Sequence, residues 1–238
     1  MLMNHSKKEI SSSSSRASAA AVLVAAGSSS RMNGEDKIFL DLCSRPIIEH
    51  SLSVFMNSGL FETTILVLST NSINMAHDKL SAYLAEGLVL TTGGARRQDS
   101  VLRGLEKIRK SQVVAIHDGA RPCITQSILE QGLEKVEKTG AAIPVIPVTD
   151  TVKRVNDIGR VETTLSRKNY KLAQTPQFFD VDLIRKAHSK IIKDVTDDAS
   201  MVEMIGGDVE VFDGDIKNLK ITTNNDLKIA QNILEARK

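Results

Sequence analysis

Tryptophan is absent from this 238-residue chain, and Phe, Trp and Tyr together make up 3% of it. A nucleic-acid groove that stacks bases on aromatic side chains has almost nothing to build with. An excess of one charge is missing too, because 31 Lys and Arg stand against 29 Asp and Glu for a net charge of +2. That balance removes the electrostatic case for nucleic-acid or membrane binding, so partners have to be read from local sites. Cysteine is scarce. Cys43 and Cys123 have no second Cys or His at ligand spacing, which speaks against a disulfide framework or zinc knuckle and for incidental thiols in a reducing, cytoplasmic setting. No apolar run approaches the ~18 residues that a membrane span requires.

What is present begins with length. At 238 residues the chain suits one principal α/β domain, large enough to bury roughly 70 to 75% of its unfolded surface without staples. Residues 1–20 are Ser-rich, with an unbroken run from Ser11 to Ser15, and are expected to be a disordered polar extension to a single domain at 21–238. A signal peptide fits poorly there, because cleavage after the apolar stretch at Ala19–Ala26 would delete the element that opens the fold. A Ser-rich organelle-targeting remnant is the other reading of the same residues.

Short apolar runs recur along the domain: Ala21 to Ala26, Thr64 to Leu68, Leu88 to Leu90, Val113 to Ile116 and Ala142 to Ile146. Each suits a buried parallel strand. Helical spacing lies between them, with Val101, Leu102, Leu105 and Ile108 on one predicted face and Ile128, Leu129, Gly132, Leu133 and Val136 on another. Strands alternating with helices predict right-handed crossovers and a three-layer α/β fold with a mostly parallel sheet. One segment breaks the alternation. Thr149 to Thr164 is rich in β-branched residues around Asn156–Gly159, which predicts a β-hairpin arm, the insertion spanning about 148–170. A lone two-stranded hairpin is marginal in water, so a second subunit is an economical partner for it. Helices near Val181–Ile192 and Asp197–Met204, a strand at Val209–Phe212 and a helix from Asn225 complete the chain.

Ligands of open α/β sheets bind beyond the carboxyl ends of strands, so the residues that follow each run carry the chemistry. The first such loop, AAGSSSRMNGEDK from Ala25 to Lys37, combines small residues with two cations, Arg31 and Lys37, which suits a triphosphate cradle. It lacks both the dinucleotide fingerprint and the P-loop signature. The second, TTGGARRQDS from Thr91 to Ser100, offers Gly93 and Gly94 for close backbone approach and Ser100 for a hydroxyl, though a plain loop with a helix cap would read the same way. The third, HDGARP from His117 to Pro122, puts Asp118 at a strand end with Arg121 three residues on. One carboxylate plus substrate phosphates is the usual magnesium site, and an arginine beside it can grip another phosphate. His117 reads as a packed strand-end residue with no catalytic part. Asp150–Arg154, Arg167, Gln174–Phe179, Thr196–Ser200 and Asn218–Lys220 add hydroxyls and charges whose spacing alone does not gather them.

Taken in order, AAGSSSRM, DKIFL, GGARRQDSV, HDGARP, DTVKR, LSRKNYKLAQTPQFF, TDDAS and NLKIT resemble the 2-C-methyl-D-erythritol 4-phosphate cytidylyltransferases of the non-mevalonate isoprenoid pathway. The resemblance runs from about Ala21 to the C-terminus. It implies a Rossmann-like nucleotidyltransferase domain, a homodimer formed through the β-arm, magnesium, and transfer of a cytidylyl group from CTP to a polyol phosphate. Residue by residue, it makes Arg31 and Lys37 stabilisers of the transition state and gives CTP the loops at Ala25, Ala26, Gly27, Gly94, Ala95, Ser100 and Gly119. It makes Asp118 the metal ligand. For the acceptor it implies Arg121, Thr151, Thr175 and Thr196, with Lys220 near the transferring phosphate and Arg167 reaching in from the partner's arm.

The sequence departs from the usual family pattern at Ser29, where glycine is common, at Ile38, where glutamine often follows the lysine, and at Ala95, where some members are acidic. At Ala95 any nucleotide contact has to come from backbone, so base selection rests on the resemblance. Two other readings stay in view: a sister enzyme acting on ribitol 5-phosphate, whose third motif runs closer to AVRPF, and a non-catalytic nucleotide-binding module that kept the fold.

Overall fold

The computed structural model describes residues 17–27 and 37–237. The chain enters through β1 (Ala19–Ala25), an all-apolar strand. A 3-10 turn at Lys37–Phe39 leads to the short hairpin of β2 (Asp41–Leu42) and β3 (Arg45–Pro46), then α1 (Ile47–Asn57) and β4 (Thr63–Leu68). Next come α2 (Ile73–Lys79), α3 (Ser81–Ala85), β5 (Val89–Thr92), α4 (Arg97–Leu105) and β6 (Val113–Asp118). After α5 (Gln126–Thr139) and β7 (Ala141–Pro147), the arm is built from β8 (Lys153–Val155) and β9 (Val161–Thr164). The chain ends with β10 (Lys171–Ala173), β11 (Gln177–Asp180), α6 (Val181–Lys190), α7 (Asp198–Met204), β12 (Glu210–Asp213) and α8 (Asn224–Glu235).

Across the main sheet the strands run β12, β7, β11, β6, β1, β4, β5, with β10 sharing the edge of β7 that β11 occupies. The pairs β1–β4, β1–β6, β4–β5 and β7–β12 are parallel, as the alternation predicted. The period of two along β1 divides the core. Ala19, Ala21 and Leu23 pack under α1 and α5 with Phe55 and Leu129, whereas Ala20 and Val22 pack under α4, α6 and α7 with Val101, Ile184 and Met201. Each fully buried large side chain contributes roughly 1.5 to 3 kcal/mol. A smaller cluster seats α8 through Ala230 against Leu42, Ile47, Cys123 and Ile221.

Four details differ from expectation. Ala19 and Ala20, read as the end of a disordered extension, are the first residues of β1 and are buried in its core; residues 1–16 lie outside the described residues. Leu102, read as core-facing, is exposed, because the buried stripe of α4 runs through Val101 and Leu105. The hairpin β2–β3 was not expected. Most important, β11 is antiparallel to both of its neighbours, β6 and β7. Its consecutive Phe178 and Phe179 are buried in opposite cores, so the segment carries no alternation by which to recognise a strand.

The arm is a hairpin as predicted. Asn156 and Arg160 close its turn, Gly159 takes a φ of 78°, and β8 pairs antiparallel with β9. Val155, Ile158 and Val161 stand exposed on it. Among the described residues, no helix is long and apolar enough to cross a membrane.

Candidate active site

Parallel pairing brings the carboxyl ends of β1, β5 and β6 to one rim: Val24 lies beside Asp118, Ala25 beside Leu68, and Leu68 beside Thr92. A cavity of about 350 Å³ opens there, walled by the backbone of Ala25–Gly27, by Gly94 and Ala95, and by Lys37, Arg97, Asp118 and Lys220.

The loop after β5 is drawn tight against the loop after β1. A Cβ on Gly93 would fall 2.4 Å from the Cβ of Ala26, and one on Gly94 would fall 2.4 Å from that of Asp99. Only glycine permits that approach. The Gly94 amide donates to Ser100 Oγ at 3.1 Å, and Ser100 Oγ donates to Arg96 O at 3.1 Å. Ser100 thus spends its hydroxyl shaping the loop. Across the rim, the Gly119 amide donates to Val24 O at 2.9 Å, and a Cβ there would strike Ile48 at 2.8 Å.

Asp118 is the electrostatic pole of the cavity. It is nearly buried, and burial alone would push its carboxyl toward the neutral form. Three cations reverse that. Arg97 Nε lies 3.2 Å from Oδ1, Lys220 Nζ 2.9 Å from Oδ2 and Arg121 Nε 3.7 Å from Oδ2, so the group stays ionised well below the usual carboxylate range. Lys37 arrives from the other side. Its Nζ donates to the carbonyl of Ile221 at 3.0 Å, the residue directly after Lys220, which sets two ammonium-bearing side chains at one end of the cavity.

The antiparallel start of β11 explains how Thr175 joins this group. Its hydroxyl oxygen accepts the Asp118 amide at 3.0 Å and lies 3.2 Å from His117 Nδ1. His117 Nε2 faces the carbonyl of Arg121 at 3.3 Å, so Nε2 carries the proton, Nδ1 accepts from Thr175, and the ring is neutral. Full burial holds that imidazole down at about 3, overriding the opposing pull of Asp118 and helped by a smaller push from the Arg121 guanidinium. Its ring lies against Phe55, tilted by 45° with centroids 5.2 Å apart. His117 is therefore the packed strand-end residue the sequence indicated.

The other site residues sort into three groups. Ala25, Ala26, Gly27, Lys37, Gly94, Ala95, Ser100, Asp118 and Lys220 all wall the cavity, and Gly119, Arg121 and Thr175 lie directly against it through Asp118 and its strand. Thr151, Arg167 and Thr196 are exposed and stand outside the walls; Arg167 Nη1 donates to the carbonyl of Thr149 within the arm. Arg31 lies outside the described residues. Sequence reasoning missed Arg97, which binds Asp118 on one side and the fully buried Asp198 at 2.8 Å on the other. It also missed Asn218, which donates to Thr175 O and accepts from Arg121 at its own carbonyl, both at 2.8 Å. The available signal was their position inside the GGARRQDS and NLKIT motifs.

A mostly parallel α/β sheet, small-residue loops at its carboxyl rim and several cations around one ionised carboxylate define a nucleotide-binding protein of the Rossmann-like nucleotidyltransferase class. Residues 19–236 match the family model described as 2-C-methyl-D-erythritol 4-phosphate cytidylyltransferase. The chain belongs to that family. It is similar to the protein of that name from Dehalococcoides mccartyi strain 195, 40% identical over 208 residues that cover 87% of this chain and 92% of the relative. The one from Bacillus licheniformis is also 40% identical, over 213 residues with the same coverage. Among solved structures, the 4-diphosphocytidyl-2C-methyl-D-erythritol synthase from Anaerococcus prevotii superposes with a TM-score of 0.83 at 28% identity, over 92% of this chain and 99% of that one.

Proposed function

We infer that the chain transfers a cytidylyl group from CTP to 2-C-methyl-D-erythritol 4-phosphate, releasing pyrophosphate and 4-diphosphocytidyl-2-C-methyl-D-erythritol. Family membership supplies the reaction, and the observation that carries it to this chain is the cavity in which Lys37 and Lys220 stand beside ionised Asp118 beneath two small-residue loops. The relatives above are named for the methylerythritol substrate, so the ribitol 5-phosphate reading is not favoured.

An acceptor phosphate oxygen attacks the α-phosphorus of CTP, forming a new P–O bond as the bond to the pyrophosphate oxygen breaks. A phosphate monoester is already ionised near neutral pH, so no general base is needed, and neutral His117 has no proton to take up. The barrier lies in bringing two anions together, and fixed cations lower it by positioning and by neutralising charge as it develops. Arg31 and Lys37 act at the triphosphate, Lys220 near the transferring phosphate, and Arg121 on the acceptor. Cytosine is read by backbone, since Ala95 offers no polar side chain and the Ser100 hydroxyl is held by Gly94 and Arg96.

The residues fit magnesium carried in with the nucleotide. Among the described residues Asp118 is the one carboxylate that walls the cavity, and the remaining positions would fall to phosphates and water. Such an ion, when bound, screens the phosphate charges. The arm makes the protein a homodimer and carries Thr151 and Arg167 to the partner's acceptor site. Supporting this are the exposed Val155, Ile158 and Val161 on a hairpin too small to be stable alone. The free thiols Cys43 and Cys123 suit a reducing, cytoplasmic setting.

The test is pyrophosphate release measured over four nucleoside triphosphates and two acceptors, methylerythritol phosphate and ribitol 5-phosphate, each with and without magnesium. Release is expected for CTP with methylerythritol phosphate and magnesium. Equal release with ribitol 5-phosphate would overturn the acceptor assignment, and none with any pair would return the chain to a binding module.

A further inference from the structure

Three consecutive residues at the start of α4 reach across to the connection between α6 and α7 and to the first residue of α7. Arg96 Nη1 donates to Ile192 O at 2.8 Å and to Asp194 Oδ1 at 3.0 Å. Arg97 pairs with Asp198 Oδ2 at 2.8 Å, and Gln98 Oε1 accepts the Val195 amide at 3.3 Å. Arg96 is itself fixed, because Nε and Nη2 make a two-pronged contact with Asp99 at 3.0 and 2.7 Å. A planar guanidinium gripped by one carboxylate is an oriented donor for the next.

What lies on either side of this contact gives it meaning. Gly94 and Ala95, the wall that faces the nucleotide, immediately precede Arg96. The connection it holds contains Thr196, exposed and otherwise without a described hydrogen bond that would set its place. From the far side, Gln177 at the start of β11 donates to Asp197 Oδ2 at 2.8 Å and accepts the amides of Asp198 and Ala199. The segment from Ile192 to Asp198 is thus strung between the nucleotide loop and the strand that supports Asp118.

We infer that Arg96, with Arg97 and Gln98, is a clasp that positions the Thr196 segment for the acceptor, so that the nucleotide loop and the acceptor loop are held as one piece. This rests on the assignment of Thr196 to the acceptor under the proposed function. Asp194 is a positioning residue that touches neither substrate, whereas Arg96 also walls the cavity, so the Asp194 variant is the one that isolates the clasp. Asp194 is 79% exposed at its side chain and does not wall the cavity, so its removal deletes no nucleotide contact and threatens no core.

The experiment compares Asp194→Ala, Arg96→Ala, the double variant, Arg96→Lys and Thr196→Ala, measuring KM for each substrate with the other saturating. Loss of a partly exposed charged contact is worth at most about a fivefold change. Asp194→Ala and Arg96→Ala should each raise the acceptor KM two- to fivefold, Asp194→Ala should leave the KM for CTP within about twofold, and the double variant should be no worse than Arg96→Ala alone. Arg96→Lys should recover part of the loss. Amide hydrogen exchange across 192–197 should quicken in Asp194→Ala, a change a passive surface charge would not cause. An unchanged acceptor KM in Asp194→Ala, with Thr196→Ala raising it, overturns the clasp. An unchanged acceptor KM in Thr196→Ala overturns the acceptor assignment and the clasp with it.

Discussion

The rim around Asp118 and the arm at 153–164 belong to one chain but are satisfied to very different degrees. At the rim the buried charges answer one another: Asp118 has Arg97, Arg121 and Lys220, and Arg97 has Asp198 in turn. Behind them the Asp118 amide donates to the Thr175 hydroxyl oxygen and Asn218 donates to Thr175 O, which fixes the backbone. The arm pairs with itself. Its strands pair with each other, Arg154 meets Glu162 at 2.9 Å, Lys153 meets Thr164 at 2.7 Å, and the apolar side chains between them face outward. Buried ion networks hold geometry, whereas exposed pairs of this kind contribute about 1 kcal/mol or less. The contrast teaches that the charged pole of the site is built from contacts within the chain, while the apolar side chains of the arm are left exposed.

The largest effects belong to the rim, where two substitutions separate chemistry from architecture. Lys37→Ala removes one preorganised donor and should lower kcat by roughly 10² to 10³ while leaving the thermal transition nearly where it was. Asp118→Asn should abolish turnover and also destabilise the fold by about 3 to 5 kcal/mol, because three cations lose their shared counter-charge. Pyrophosphate release and calorimetry on the same samples would check both. A Lys37→Ala enzyme with undiminished kcat removes that lysine from the reaction, and an Asp118→Asn protein as stable as the parent means the ion network does not hold the rim.

The arm is probed by complementation. Arg167→Ala and Lys37→Ala homodimers should each be nearly inactive. If the arm acts on its partner, a mixed dimer holds one site with both residues intact, so refolding the two variants together in equal amounts should restore roughly a quarter of parental activity. Activity that stays at the level of the separate variants would place Arg167 in its own chain's site. Ile158→Asp, at a position 73% exposed, should weaken the dimer without unfolding the monomer, as followed by sedimentation.

How much of this was readable beforehand follows the same division. The first loop, the third loop and the parallel strands between them were accessible because a buried strand announces itself as an apolar run and its site residues follow at once in sequence. The arm was accessible through its turn residues. Arg97 and Asn218 were not, since tertiary structure brings them to the rim: Arg97 meets Asp118 because α4 turns its first residue inward, and Asn218 meets Thr175 and Arg121 because the chain returns to the rim before α8. Thr175 was named through the resemblance, but its place behind Asp118 depends on β11 entering the sheet antiparallel. The resemblance assigns Thr175 to the acceptor; in the structure its hydroxyl oxygen accepts the Asp118 amide and lies beside His117 Nδ1.

The smallest predicted effect concerns pH, and it too separates the rim from the arm. Folded His117 remains neutral down to about 3, whereas the same side chain in the unfolded chain takes up a proton below about 6.5. Between those values the unfolded state binds more protons, so stability is fully present above pH 6.5 and falls as the solution is acidified. From pH 6.5 to 5 the loss assigned to this residue is about 1 to 2 kcal/mol. Burial lowers His50 and His188 in the same direction, so the parent should carry a residual slope from them. His117→Gln should flatten the parental dependence of Tm over that interval without removing it. Because the arm carries no buried histidine, hydrogen exchange should show acid loosening the strand around Asp118 before β8 and β9 respond. Parallel Tm profiles for parent and His117→Gln would mean that the ring is not held neutral, and the proton arrangement derived for Thr175 would have to be abandoned.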